Sequence, residues 1–359
     1  MKTLVVKIGT STLVRDGELD EAYLEELARQ VAVMREEGWR TIVVTSGAVR
    51  VGLNVIGRKK AANLAEKQAA AAIGQSLLMR SYRKAFAERE MHVAQLLLTR
   101  ADTGDRRRFL NARHTVQQLF KWGVVPIVNE NDTVATDEIK VGDNDTLASL
   151  TALVAEADRV VLLSDIDGFH LPGIEGPVGV IEAITPEIEE AAGGAGSIGG
   201  TGGMRTKLDA ARIATQNGIE FIIAHGRAPE VVLQLARGAA IGTHFAPTAK
   251  LSGRKGWIAY GSRAEGTIRL NDCARAALIS KGSSLLPIGI VEVEGEFDAG
   301  SLVLVTDHRG EVGRGLSNFS AEDLRRIAGH HSSEVPGILG RETTVEAIHR
   351  DDFSLTAKD

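Results

Sequence analysis

Apolar and polar positions follow two rhythms over the first 245 or so residues. Thr3–Ile8, Thr41–Val44, Val93–Leu98, Val124–Val128, Arg159–Leu163 and Phe221–Ala224 are short apolar runs bounded by turn formers, and they read as buried strands. Between them the apolar residues recur at helical spacing. Asp20 is placed to cap a helix with Leu24, Leu27, Val31 and Met34 on one face and Gly38 at its end. Further helices are predicted from Ser46-Gly47-Ala48, over Ala65–Ala87, over Arg107–Trp122 with Gly123 closing it, from Asp145 to about Ala155, and over Met204–Asn217. Gly9-Thr10-Ser11 reads as a turn, the surroundings of Ile139 as a short strand, and Gly193–Gly203 as a glycine-rich loop. Strands alternating with helices imply right-handed crossovers, so the fold class is α/β: a mainly parallel sheet between two helical layers.

The rhythm changes after about Pro247. Residues 248–263 are basic, glycine-containing and aperiodic, as a linker would be. From 264 to 345 short strands dominate (Thr267–Leu270, Val291–Val293, Leu302–Val305, Val312–Leu316), with helices at Asp272–Lys281 and Ser320–Ile327. Ser320 and Asp323 have capping-box spacing. The expected organisation is therefore an α/β domain over 1–247, a linker over 248–263, a small β-rich domain over 264–345 and a tail over 346–359. A chain of 359 residues exceeds what one core usually serves, which agrees with two domains.

Composition narrows the function classes. A net charge of −5 provides no general attraction to nucleic acid or anionic membrane, and Cys273 is the single cysteine, so no internal disulfide exists. No run approaches the roughly 20 apolar residues of a membrane span, and the N-terminal run is interrupted by Lys7, unlike a signal peptide; the expected compartment is the cytoplasm. The nine histidines lack metal-ligand spacing, and no Ser-His-Asp or Cys-His arrangement is apparent.

Three clusters carry chemistry. The densest is Asn129–Asp145, NENDTVATDEIKVGDND, between a strand and a helix, at the sheet edge where open α/β folds bind ligands. Its short carboxylates and amides suit a ligand with an ammonium group, or a metal. The second is Lys7-Ile8-Gly9-Thr10-Ser11, a lysine at the last turn of a strand, able to neutralise a phosphate. The third is Gly199–Lys207, GGTGGMRTK, where glycines admit an anion to the start of a helix and Lys207 lies in its first turn. Ser46-Gly47 opens a helix at the same edge, where Ser46 is either an N-cap or a ligand contact. Two lysines, an anion loop and acidic residues to position them point to phosphoryl transfer, which needs charge neutralisation and alignment more than covalent help.

These strings resemble the amino acid kinase family. The likeness is carried by VVKIGTS at Val5–Ser11, TSGAV at Thr45–Val49, LLTRAD at Leu97–Asp102, RRFLNAR at Arg107–Arg113, VPIVNENDTVATDEIKVGDND at Val125–Asp145 and GTGGMRTK at Gly200–Lys207. RRIAGHHS at Arg325–Ser332 extends it, and the C-terminal module resembles a PUA domain. Within the family the likeness is to members that phosphorylate the side-chain carboxylate of L-glutamate, giving L-glutamyl 5-phosphate at the first step of proline biosynthesis. The resemblance implies ATP as donor and Mg²⁺ bridging its phosphates, with no metal ligand assigned to the protein. It implies catalytic roles for Lys7, Lys207 and Asp145, with Asp143 assisting. It assigns acceptor binding to Ser46, Gly47, Asp132 and Asn144, with Asp132 facing the ammonium group. Lys7, Ser164, Asp165, Thr201, Gly202, Gly203, Met204, Arg205, Thr206 and Lys207 are assigned to the nucleotide. One departure is His170, where many relatives place a tyrosine near the nucleotide.

The resemblance also implies feedback inhibition by proline, a homo-oligomer, and functional coupling to a glutamyl phosphate reductase, with no membrane partner. Two other readings remain open at this point: a kinase for aspartate, acetylglutamate or carbamate, and an RNA-binding protein acting through the PUA-like module. From 264 to 345 that module holds eight Lys and Arg against twelve Asp and Glu, a balance of −4 that opposes nucleic-acid binding.

Overall fold

The structure is a computed structural model that describes residues 1–99, 102, 106–134, 143–193, 203–248, 258 and 264–356. The chain divides into two compact units, Met1–Lys250 and Leu251–Asp359. Most of the expected linker lies outside the described residues, as do the strand expected near Ile139 and the interior of the loop Gly193–Gly203.

The first unit is built on β1 (Lys2–Ile8), β4 (Trp39–Val44), β5 (Val93–Leu98), β6 (Val125–Glu130), β7 (Arg159–Ser164) and β9 (Glu220–His225), all pairing in parallel. The edge is completed by β8 (Val180–Ile181) and by β10 (Thr243–Phe245), which runs antiparallel to β9. The order is β5-β6-β4-β1-β7-β9-β10-β8, so β1 lies in the middle. Leu4, Val5, Val6 and Ile8, like Ile42–Val44 and Val160–Leu163, are wholly buried, the mark of a parallel sheet covered on both faces.

Period-two alternation sorts these strands between two helical layers. Leu4, Val6 and Ile8 face α2 (Glu21–Glu36), α4 (Leu64–Ala87) and α9 (Val231–Ala236), sharing one apolar cluster with Leu24, Leu27, Met34, Leu78, Phe86 and Val232. The other face takes α5 (Arg106–Lys121), α6 (Asp143–Ala155) and α8 (Gly203–Gln216), with α6 against β1 and packed on both α5 and α8. Val5 and Lys7 alternate toward this second layer.

Local chemistry places most helix ends where the sequence predicts them. The Asp20 carboxylate accepts from Tyr23 N at 3.1 Å, and Asn63 accepts from Glu66 N at 2.9 Å. Gly9-Thr10-Ser11 departs from its expected turn, because Thr10–Leu13 wind into one helical turn, α1. The hairpin β2 (Val14–Arg15) with β3 (Glu18–Leu19), the helix α7 (Pro186–Gly193), α9, β8 and β10 had no sequence expectation; each is too short for a period to register. No described helix is long and apolar enough to cross a membrane.

A close crossing holds α3 (Ala48–Val55) on α4. A Cβ on Gly52 would lie 1.8 Å from Ala70 O, and one on Gly74 would lie 1.8 Å from Ala48 O. Two glycines facing each other let the helix backbones touch, which fixes where α3 begins.

The second unit is a mixed sheet in the order β12-β11-β13-β14-β15, with β11 (Gly266–Leu270), β12 (Ile290–Gly295), β13 (Leu302–Asp307), β14 (Gly310–Leu316) and β15 (Phe353–Leu355). Its helices include α10 (Asp272–Lys281), α11 (Ala321–Ile327) and α12 (Val335–Leu339). Asn271 and Ser320 cap α10 and α11 through Ala274 N and Asp323 N. The expected tail is corrected here. Ala347 and Ile348 are fully buried, Phe353 is 6% exposed, and β15 pairs antiparallel with β14. The unit therefore runs to Leu355; a three-residue strand is too brief for its alternation to stand out in the sequence.

The glycine crossing predicts that Gly74→Ala lowers stability by about 1–3 kcal/mol through overpacking. Ser76→Ala, an exposed position on the same helix, should stay within about 0.5 kcal/mol. Urea unfolding midpoints of both variants check the contrast, and equal midpoints would refute it.

Candidate active site

The carboxyl edge of the sheet gathers four chain segments. β1 ends with Lys7-Ile8, and its register sets Lys7 beside Val44 of β4 and Leu162 of β7. The chain then leaves β4 through Thr45-Ser46-Gly47 into α3. β6 ends at Asn129-Glu130, and α6 and α8 bring their first turns to the same edge.

The helices α6 and α8 are bound to each other just below that edge. Ser149, one turn beyond Asp145, donates its hydroxyl to Ala210 O at 2.7 Å, and Ala210 lies one turn beyond Lys207. This contact is wholly buried, so the first turns of both helices are held in fixed relation. Lys207 and Asp145 meet as a consequence. Lys207 Nζ lies 3.1 Å from Asp145 Oδ2, and Lys7 Nζ lies 2.6 Å from Asp145 Oδ1. The Asp145 side chain is 2% exposed, Lys7 10% and Lys207 14%. Burial pushes the Asp145 carboxyl up, but the Lys7 and Lys207 ammonium groups outweigh it and hold the carboxyl below the usual aspartate range. One carboxylate between two ammonium groups carries a net charge of about +1. Such an edge is suited to an anion.

Beside the ion cluster lies a chain of neutral amides. Asn144 Nδ2 donates to Thr45 O and to Ser46 Oγ, both at 2.9 Å, and approaches Asn129 Oδ1 at 3.1 Å. Asn129 Nδ2 in turn donates to Gln75 Oε1 of α4 at 2.8 Å. Tyr82, two turns further along α4, donates its buried hydroxyl to Thr45 Oγ1 at 2.9 Å. Burial pushes the Tyr82 phenol well above its usual value, so it stays a neutral donor. The Ser46 side chain does not cap α3. The N-cap is Gly47, left-handed at φ 97° and without a side-chain cap bond, so the opening turn of α3 presents N–H groups at this edge. A Cβ on Gly47 would sit 3.0 Å from Val14 Cγ2, a second reason for glycine there.

On the β7 side, Ser164 Oγ donates to Asp165 Oδ1 at 3.0 Å, and Gly226 N donates to Ser164 O at 2.7 Å. Ser164 is buried and Asp165 exposed. Gly9 N donates to Leu163 O at 3.1 Å, and a Cβ on Gly9 would lie 3.7 Å from Lys7 Nζ. His170 Nε2 lies 2.7 Å from Asp167 Oδ1, in an exposed pair beyond the same strand. Gly203, Met204, Arg205 and Thr206 form the first turn of α8, where the Thr206 hydroxyl donates to Gly203 O at 3.0 Å.

The structure therefore brings together Lys7, Ser46, Gly47, Asn144, Asp145 and Lys207. Asp132 lies in the turn beyond β6, two residues past the strand. Thr201 and Gly202 fall outside the described residues, as does the side chain of Asp143. Gln75 and Tyr82 had no place in the sequence-based expectation, and Thr45 entered it only as the first residue of the string TSGAV. Gln75 and Tyr82 sit within a long amphipathic helix, where a polar residue carries no signal until its tertiary neighbour is known. Among the described residues no group of three or more His, Cys, Asp or Glu converges as a metal site.

Comparison with known proteins follows the division into units. The profile of the amino acid kinase family matches residues 2–225, and that of the PUA domain matches residues 266–339. The glutamate 5-kinase of Caldanaerobacter subterraneus subsp. tengcongensis is 46% identical over 359 residues, covering 98% of this chain and 96% of that protein. The glutamate 5-kinase of Moorella thermoacetica is 45% identical over 364 residues, with 98% and 96% covered. That of Geobacter sulfurreducens is 46% identical over 364 residues, with 98% and 97% covered. A family match over more than half the chain, together with relatives of this identity along nearly its whole length, places the protein: it belongs to the amino acid kinase family.

Proposed function

We propose that this chain transfers the γ-phosphate of ATP to the side-chain carboxylate of L-glutamate, giving L-glutamyl 5-phosphate for proline biosynthesis. The observation that carries the reading is the convergence of Lys7 and Lys207, 200 positions apart, on the one buried carboxylate of Asp145. Relatives along the full length of the chain bear the name glutamate 5-kinase, which supports glutamate over other acceptors.

The chemistry follows from charge. A glutamate side chain titrates near pH 4.3, so at neutral pH the nucleophile is already ionised and needs no general base. The barrier is the approach of one anion to another. Lys7 and Lys207 offset the charge gathering on the transferred phosphoryl group and on the ADP oxygen that leaves. Asp145 is a positioning residue: it holds both ammonium groups at the edge and keeps them from following the product. Ser46, Gly47, Asp132 and Asn144 serve the acceptor, with Asp132 facing its ammonium group. Ser164, Asp165 and the stretch Thr201–Lys207 serve the nucleotide.

Magnesium fits this arrangement as a passenger of the nucleotide. Both Asp145 oxygens are engaged by ammonium groups at 2.6 and 3.1 Å, so this carboxylate is not open to a metal. Magnesium carried in with the nucleotide would supply further charge neutralisation beside Lys7 and Lys207, with no ligand from Asp145. The family reading adds cytoplasmic location, a homo-oligomer, functional coupling to a glutamyl phosphate reductase that consumes the acyl phosphate, and proline as an inhibitor in the acceptor pocket.

Three outcomes are expected. Lys7→Ala and Lys207→Ala should each lower kcat by about 10²–10³-fold, the loss typical of removing one preorganised charge partner. ADP release with and without L-glutamate measures this, and near-normal turnover in both folded variants would remove the mechanism. Asp145→Asn leaves two ammonium groups without their counter-charge and should cost about 3–5 kcal/mol at neutral pH. The depressed Asp145 carboxyl stabilises the fold above the ordinary value of 3.8, and that contribution fades as pH falls through its lower folded value. The gap between wild type and Asp145→Asn in urea unfolding should therefore narrow below pH 3.8 and stay constant above it. Inhibition of initial rates by free proline should be relieved by raising glutamate at fixed ATP; relief by ATP instead would place proline elsewhere.

A further inference from the structure

The amide chain at the acceptor edge has a direction, and its terminus is informative. Thr45 O is a carbonyl and can only accept, so Asn144 must turn Nδ2 toward it at 2.9 Å. Asn129 must then meet Asn144 with its oxygen, at 3.1 Å, which leaves Asn129 Nδ2 pointing away toward Gln75 Oε1 at 2.8 Å. The same constraint leaves Asn144 Oδ1 as a buried acceptor with no hydrogen-bond partner among the described residues. A buried polar atom without a partner is costly and calls for a specific explanation. In a site for an amino-acid acceptor, the explanation is the ammonium group of that acceptor.

We infer that Gln75 is a positioning residue for acceptor affinity, keeping the Asn129 amide engaged so that Asn144 Oδ1 stays open to the ammonium group of the substrate. This rests on the proposed reading of the site as an amino-acid kinase site. Without the Gln75 oxygen, Asn129 Nδ2 becomes a buried donor without a partner, on the amide whose oxygen already meets Asn144 at 3.1 Å, while Asn144 Oδ1 is a buried acceptor. Two such atoms pair with each other, because each removes the other's desolvation cost. The pairing would occupy the atom the ammonium needs. The backbone of Gln75 is held in place: Gly74, the preceding residue, lies in the α3–α4 crossing, and Tyr82 holds Thr45 from the same helix, while Gln75 Nε2 is itself a buried donor without a partner among the described residues.

The test separates this role from a general loss of structure. L-Glutamate carries the ammonium group, and glutarate is the same dicarboxylate without it. Gln75→Leu should raise the KM for glutamate about tenfold, the effect of one hydrogen bond to a charged group, with kcat within about twofold. The inhibition constant of glutarate should be unchanged in the same variant. Gln75→Glu retains an oxygen at the same reach, accepts from Asn129 Nδ2, and should restore the KM for glutamate. Equal losses for glutamate and glutarate, an unchanged KM in Gln75→Leu, or a Gln75→Glu as impaired as the leucine variant would each overturn the inference. If Gln75→Leu does not fold, Gln75→Glu decides by itself: a wild-type KM supports the role and a raised one overturns it. Failure of the wild-type chain to release ADP with glutamate would instead defeat the proposed function, a result distinct from any of these.

Discussion

The Asp145 carboxylate is the constraint on which the arrangement depends. Placing two ammonium groups side by side in a nearly closed edge is unfavourable unless a counter-charge is shared between them. Asp145 supplies it with one oxygen for each lysine, at 2.6 Å to Lys7 and 3.1 Å to Lys207. The surroundings serve this sharing. β1 occupies the middle of the sheet and carries Lys7 on the face toward α6. The Ser149–Ala210 hydrogen bond ties α6 to α8 one turn behind, so Asp145 and Lys207 cannot drift apart.

Charge and its absence are divided across the edge. Cations gather where the proposed phosphoryl group moves, while Asn129, Asn144, Ser46 and Thr45 line the neighbouring side with neutral groups. In the proposed reading, a carboxylate acceptor on this neutral side would be oriented by hydrogen-bond donors without being drawn into a tight ion pair. The α3 turn is in place because Gly47 adopts a left-handed conformation and because Gly52 and Gly74 let α3 rest directly on α4. A helix crossing with no side chains between thus helps set the position of the turn Thr45-Ser46-Gly47.

Much of this was legible along the chain. The strands β1, β4, β5, β6, β7 and β9 stand out as short apolar runs, broken by Lys7 in β1 and Gln95 in β5, and Asp20 and Ser320 announce their helices as side-chain caps. Lys7, Asp145 and Lys207 stood out because each lies where a strand ends or a helix begins, beside glycines or polar residues. Short elements were silent: β8, β10 and β15 hold two or three residues each, below the length at which a period can be told from chance. Phe353 and Ile348 read as a tail for that reason, although both are buried in the core of the second unit.

The layer order, the family and the residue types available for charge neutralisation can be read along the chain, because periodicity and turn chemistry are local properties. Which of those residues meet is settled only once the chain is folded. Ser46 read as either a helix cap or a ligand contact, and it accepts a hydrogen bond from Asn144 without capping α3; Gln75 is one polar residue on a long helix, and it holds Asn129. Hydrogen-bond direction depends on partners distant in the chain, so no local pattern could have assigned it.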